Sequence, residues 1–236
     1  MKQIIKSIRK ELRKDIDVEY KKSAKNFFKE PIKIYGVRVP LVRRIAKNYY
    51  QKIKDLNKNE LFKLAETLLK SGYSEEIVIA LDWVYRKKID YKKSDFKIFE
   101  HWLKNYISNW GSCDDFCVHP LGYFLFGFSE LNKNLNKWAK SKNRWLRRAS
   151  AVSLIVSIRK KKQLKKIFEI SNILLEDRDD LVQKGYGWTL KEASNLYPKE
   201  VLAFVMKHKE KMPRTALRYA IEKMPKSWKQ KAMALS

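Results

Sequence analysis

Four short stretches of this sequence carry side chains that a helical core does not account for. In SNWGSCDDF, Trp110 stands four residues before Asp114, with Asp115 beside it. Ser112 reads as a helix N-cap with Asp115 three residues on, which leaves Trp110 in a linker and both aspartates in a first turn. Carboxylates are favoured there by the helix dipole, and that is the plain account of them. Adjacent helical residues point about 100° apart, so one Asp can complete the cap while the other faces elsewhere. In KNRWLRRAS, Arg144 and Arg148 share a helical face with Arg147 beside them. Arginines in a first turn oppose the dipole, at a cost of roughly a few tenths of a kcal/mol each. The cluster becomes favourable when a phosphate takes both the guanidinium groups and the free N–H groups; a solvated charge cluster is the alternative.

The third stretch spans Asp177 to Tyr197. At 100° per residue, Val182, Tyr186, Leu190, Ala193 and Tyr197 form an apolar stripe. Trp188 falls on the opposite side, beside Lys184, Lys191, Asn195 and the side-chain-free Gly185. A tryptophan among lysines is unexplained by that stripe unless a neighbouring element buries it. The fourth stretch is YGVRVPLVRRIAK, where Gly36 permits a turn and Pro40 suits the first helical position. There Arg43, Arg44 and Lys47 extend the basic surface.

The elements that must position these residues are helices. Ile77, Ala80, Leu81, Val84 and Tyr85 follow the spacing of a core-facing stripe between Glu75 and Lys88, as do Phe96, Phe99, Leu103, Tyr106 and Ile107 after it. Further helices are predicted at Val39 to Ile53, Asn59 to Lys70, Asn143 to Arg159, Asp177 to Tyr197, Lys199 to Lys209 and Arg214 to Met224. Pro120 should kink or end the helix that carries Asp114. No strand is evident, and seven Gly and six Pro are too few for the turns of an all-β chain. Helices arrive in pairs about every forty residues, which predicts an all-α, curved solenoid of about six HEAT-like helical pairs, one repeat domain over residues 1–236. A compact bundle is the alternative.

Composition points to a partner. The chain has 53 Lys and Arg against 26 Asp and Glu, a net charge of +27. Self-repulsion of that size burdens a compact state, and its natural counterpart is a polyanion. With 44% hydrophobic residues the chain is not disordered. The N-terminus is basic without an apolar core, unlike a signal peptide, and no run approaches the ~18 apolar residues of a membrane span. Cys113 and Cys117 read as reduced thiols, and with His119 they lack a spaced fourth metal ligand.

Taken in order, YGVRVPLVRR, NWGSCDD, WLRRAS, QKGYGWTLKEAS and MPRTALRYAIEKMP resemble the AlkD-like DNA alkylation-repair glycosylases along nearly the whole chain. The resemblance implies HEAT-like repeats that hold double-stranded DNA on a concave face and hydrolyse the N-glycosidic bond of cationic alkylated purines, such as 3-methyladenine and 7-methylguanine. It implies Trp110 and Asp114 from a W-x-x-x-D motif and Trp188 from a Q-K-x-x-G-W-x-L motif as the catalytic set. An Arg of the W-x-R-R motif, Arg148 in preference to Arg147, is implied to contact the backbone near the lesion. Arg144, Lys184, Lys191, Arg43 and Arg44 complete the expected DNA contacts. Lys191 stands where the family pattern has Arg, which keeps the charge and loses bidentate phosphate binding. Phe27 or Phe28 stands in place of an early Tyr. The resemblance further implies capture of the damaged nucleotide without a deep pocket. The expected setting is a monomer in the bacterial cytoplasm, on the nucleoid through DNA.

The residues suffice for that chemistry. Glycosidic cleavage usually takes two carboxyl groups, one protonating the leaving group. An N3- or N7-alkylated purine already carries positive charge and leaves without the acid. One ionised Asp near the sugar can then stabilise the oxocarbenium-like centre and orient water, with indole faces against the developing cation. No metal or organic cofactor is needed. Two other readings compete: a non-catalytic DNA- or RNA-binding HEAT module with steeply salt-dependent binding and no base release, and a protein-interaction scaffold indifferent to random duplex.

Overall fold

A computed structural model of the protein describes residues 2–28 and 30–234. Among these residues the regular elements are helices, and the one β-type pairing is an isolated bridge between Lys33 and Tyr73. The all-α expectation holds. The chain divides into two compact units, Met1–Pro120 and Leu121–Ser236, where the sequence pattern predicts a single repeat domain.

The first unit contains α1 (Lys2–Lys14), α2 (Val18–Phe27), α3 (Val39–Gln51), α4 (Lys58–Leu69), α5 (Ser74–Arg86), α6 (Phe96–Asn105) and α7 (Trp110–Val118). Apolar residues at helical spacing set the packing. Ile5, Ile8 and Leu12 bury one side of α1, and Ile77, Ala80, Leu81 and Val84 are buried on α5. Helix α5 packs on α3, α4 and α7. Trp83 fixes the α3–α5 contact by donating from Nε1 to the Ala46 carbonyl at 2.9 Å. Helix α4 starts with a reciprocal capping box between Asn57 and Glu60.

Two adjacent carboxylates in the first turn of α5 organise the segment before α3. Glu75 accepts from the backbone N–H groups of Tyr35, Gly36 and Val37 at 3.1, 2.8 and 3.1 Å. Glu76 is fully buried; it accepts from the Tyr35 hydroxyl at 2.6 Å and takes Arg9 through both carboxylate oxygens at 3.0 and 2.9 Å. Burial first, then the hydrogen bond to Glu76, raises the Tyr35 pKa. Gly36 turns here with φ +103°, where a Cβ would meet Lys21 Cβ at 2.6 Å, so the turn expected at this glycine does require it. Helix α3 then opens at Val39, so Pro40 takes the second helical position and not the first, still within the turn whose N–H groups lack helical partners.

The second unit contains α8 (Pro120–Gly127), which starts at the boundary, α9 (Leu135–Ala139), α10 (Arg144–Val152), α11 (Ile155–Arg159), α12 (Leu164–Ile173), α13 (Asp180–Ser194), α14 (Pro198–His208), α15 (Arg214–Ile221) and α16 (Lys226–Met233). The single helix predicted from Asn143 to Arg159 is broken after Val152. There the Leu154 N–H bonds the Ala151 carbonyl, an i to i−3 closure that tightens the turn before α11 begins. Helix α13 is the centre of the unit and packs on α10, α11, α12, α14 and α15. Val182, Tyr186, Leu190 and Ala193 of the predicted stripe are fully buried, whereas Tyr197 lies beyond the helix end and is only partly covered.

Gly187 sets the distance between α13 and α15. A Cβ there would stand 2.8 Å from both the Ala216 carbonyl oxygen and Tyr219 Cβ, and 3.1 Å from Ala216 Cα. Backbone cannot yield as a flexible side chain does, so Gly187→Ala must push the helices apart. We expect it to destabilise the protein by about 1–3 kcal/mol, measured as a lower urea midpoint. In the first unit, Glu76→Gln leaves Arg9 without its ionic partner and is expected to cost about 2 kcal/mol by the same measurement.

Candidate nucleic-acid site

Helix α7 carries the first pair of candidate residues and differs from its sequence reading at its start. Asn109, not Ser112, is the N-cap: its Oδ1 accepts from the Ser112 N–H at 2.9 Å. Both residues suit a cap, and the helix begins at the earlier one. Trp110 is therefore the first residue of α7 and not part of a linker, and Asp114 and Asp115 lie in the second turn. The helix ends at Val118 ahead of Pro120, as that proline requires. Ser112, Cys113, Phe116 and Cys117 form its buried face. Both cysteines are buried and form no disulfide.

The four-residue spacing within a regular helix puts Trp110 and Asp114 one above the other on one face, each partly exposed. Phe28 stacks on the Trp110 indole at 5.2 Å and 23°, and Phe27 meets it edge-on at 5.6 Å and 66°. Both phenylalanines that stand in for the early Tyr thus touch this tryptophan, Phe27 with 69% of its surface exposed. Asp115 points elsewhere: its Oδ1 takes Arg43 Nη2 at 2.5 Å and His119 Nδ1 at 2.8 Å. Arg43, expected on the DNA surface, is committed to Asp115 and lies 3.9 Å from Asp82, whereas Arg44 and Lys47 are exposed.

The arginine cluster on α10 is answered from within the second unit. Arg144 Nε and Nη2 both reach Asp179 Oδ2 at 2.6 Å. Arg147 Nε bonds Asp177 Oδ2 at 2.6 Å, and its Nη1 bonds the Ser141 and Lys142 carbonyls at 3.0 and 3.1 Å. Neither is the freely solvated charge of the simplest reading, and the unfavourable dipole interaction is offset locally. Arg148 is buried at 5% exposure and donates from Nη1 to the Leu181 carbonyl. Its chain lies against Gly185, where a Cβ would come within 3.0 Å of Arg148 Cγ and 3.4 Å of Val152 Cγ2. Gly185 is accordingly buried against α10; it does not belong to the polar face beside Trp188, to which its helical angle alone assigns it.

Trp188 is partly exposed on α13, and its Nε1 donates to Glu192 Oε1 at 3.2 Å. Glu192 Oε2 in turn takes Arg159 Nε at 2.9 Å. The expected lysine neighbours are also paired, Lys184 with Asp180 at 3.2 Å and Lys191 with Glu222 at 3.0 Å, the latter lying 5.6 Å from the centre of the Tyr219 ring. Sequence reasoning missed Glu192, Asp177 and Asp179. Glu192 lies one helical turn from Trp188, a spacing that identifies such a neighbour. Among the described residues no group of three or more His, Cys, Asp and Glu is arranged to hold a metal ion, and no helix is long and apolar enough to cross a membrane.

The sequence profile described as DNA alkylation repair enzyme matches residues 8–224. The chain belongs to the DNA alkylation repair enzyme family. No curated protein matches it by sequence. Among solved structures, a predicted DNA alkylation repair enzyme from Enterococcus faecalis superposes with a TM-score of 0.80 at 15% identity, covering 90% of this chain and 98% of that one. At that identity the likeness concerns the fold.

Burial acts to raise the Glu192 pKa, but the bonds from Arg159 and Trp188 outweigh it and hold the carboxyl below its ordinary value of 4.5. A lowered folded value means that this interaction stabilises the protein fully above about pH 4.5 and is lost as the pH falls through the folded value. Glu192→Gln is expected to lower the urea midpoint at pH 7, and the gap from wild type should close as the pH falls through the folded value.

Proposed function

We propose that this member of the family is a DNA glycosylase that binds duplex DNA and hydrolyses the N-glycosidic bond of cationic N3- or N7-alkylated purines. The observation that carries the reading is the pairing on α7 of a partly exposed indole with a partly exposed carboxylate one turn away, on a helix whose opposite face is fixed in the core. Family membership supplies the context of alkylation repair. The residues supply chemistry that the cationic leaving group leaves to be done.

In this reading Asp114 stays ionised beside the deoxyribose, stabilises the electron-poor sugar as the base departs, and orients the attacking water. The water's proton leaves to that carboxylate or to solvent, and the neutral alkylated base is the leaving group. The indole face of Trp110 contributes to the same cation, and Trp188 is the other tryptophan of the proposed catalytic set. Arg148 of the W-x-R-R motif, held by the Leu181 carbonyl, is the proposed contact to the DNA backbone near the lesion. Arg144, Arg147, Lys184, Lys191, Arg43 and Arg44 belong to the wider basic surface, with Arg44 and Lys47 as its exposed members on α3. The HEAT-like repeat architecture, a monomeric state and a nucleoid location complete the proposal.

The test is release of 3-methyladenine and 7-methylguanine from methylated duplex, comparing wild type with Asp114→Asn. We expect release by wild type and at least about a hundredfold slower release by the variant, with DNA affinity retained. Salt-sensitive binding by wild type without any base release would instead assign a non-catalytic DNA-binding module.

A further inference from the structure

Helix α7 packs on α5 through Ser112, Cys113, Phe116 and Cys117, three small side chains and one ring. Packing of that kind is non-directional, so it sets the depth of a nine-residue helix better than its rotation. Rotation is set by bonds with a direction, and Asp115 makes one. Its carboxylate, 11% exposed, accepts from Arg43 Nη2 at 2.5 Å and lies 2.8 Å from His119 Nδ1. Arg43 reaches this position from α3, and its Nη1 stands 3.9 Å from Asp82 on α5. Asp82 is itself held by Arg86 Nε at 2.6 Å, and the His119 ring meets Tyr85 of α5 edge-on at 5.4 Å. These side chains tie α3, α5 and α7 together at the residue next to Asp114.

We propose that Arg43 is a positioning residue for Asp114: it fixes the rotation of α7 through Asp115 and does not contact a DNA phosphate. The role of Asp114 rests on the glycosylase reading; the grip of Arg43 on α7 does not. Adjacent helical residues point about 100° apart, so Arg43 holds the helix on the flank of the face that carries Trp110 and Asp114. A small turn of α7 would move the Asp114 carboxylate relative to a bound sugar, and a misplacement of ~1 Å can slow a reaction by roughly a hundredfold. The same bond argues against a phosphate role. A phosphate would compete with a carboxylate already seated on the guanidinium, and drawing Arg43 away would leave the mostly covered Asp115 charge uncompensated. Arg43 adds its charge to the basic surface, while exposed Arg44 and Lys47 on the same helix are the members placed to meet phosphates.

A double-mutant cycle on the whole protein tests this, with Arg43→Gln, Asp115→Asn and the two combined, each checked for folding by thermal melting. Single-turnover release of 3-methyladenine from methylated duplex is measured at saturating protein, and duplex affinity is measured as a function of salt. We expect Arg43→Gln to slow release by at least about tenfold with affinity and salt slope unchanged. The combined variant should be no slower than the slower single one, because both changes break the same bond. A phosphate contact behaves otherwise: affinity falls, the salt slope drops by about one, and the two losses multiply. That pattern overturns the proposal, as does release by Arg43→Gln at the wild-type rate. Where Arg43→Gln does not fold, Asp115→Asn carries the test, and its release at the wild-type rate overturns the proposal equally. Amide hydrogen exchange over residues 110–118 gives a readout independent of the reaction, and it should be faster in Arg43→Gln than in wild type. If wild type releases no base, the glycosylase reading falls by itself and exchange decides the role of Arg43. Faster exchange at unchanged duplex affinity then upholds the grip on α7, and unchanged exchange overturns it.

Discussion

Carboxylates are scarce in a chain with 53 basic side chains and 26 acidic ones, and the folded protein spends them at the joints between helices. Glu75 gathers three consecutive backbone N–H groups of the segment before α3, and Glu76 beside it holds Arg9 and Tyr35. Asp95 is buried against Lys58 at 2.5 Å, linking the start of α4 to the start of α6. In the second unit Asp177 and Asp179 gather the arginines of α10 while Asp179 also caps α13. Each of these acids is mostly covered by protein, where an ion pair depends on good geometry and added hydrogen bonds for its worth. Such bonds are present: backbone N–H groups, a hydroxyl or a cap accompany nearly every pair.

That arrangement changes how the basic surface is understood. An arginine whose inner edge is tied to a carboxylate keeps its fork orientation, and the donors on its outer edge point in a fixed direction. Arg147 is held on each of its nitrogens, by Asp177 at Nε and Nη2 and by the Ser141 and Lys142 carbonyls at Nη1. A phosphate meeting it would find a side chain already ordered, with less side-chain entropy to lose. Exposed Arg44 and Lys47 are of the other kind and offer charge without direction.

The helical class was legible because its stripes recur at helical spacing: Ile77 to Val84 and Val182 to Ala193 are buried as that spacing requires. Local punctuation was legible where one residue dominates, as at Gly36 and Pro120. It fails where two residues of equal aptitude compete, as Asn109 and Ser112 do at the start of α7, where Asn109 holds the cap. Helix-breaking at Val152 left no proline or glycine as a mark. The candidate site was legible in its residue types and their spacing, and illegible in its pairings. Arg144 and Arg147 meet carboxylates 35 and 30 residues away, and no local pattern encodes contacts of that separation. Gly185 and Gly187 show the same limit: the helical angle describes which way a glycine faces, but only the neighbouring helix decides whether that face is open.

Helix α7 spans nine residues, capped at Asn109 and closed before Pro120. Its brevity insulates the geometry it carries from the rest of the chain. Lengthening the connections on either side leaves the indole and the carboxylate in register, because their relation is internal to two turns of one helix. A single residue gained or lost between positions 110 and 114 would instead rotate one against the other by about 100°. Over evolutionary time, insertions and deletions should therefore accumulate outside this interval and be purged within it.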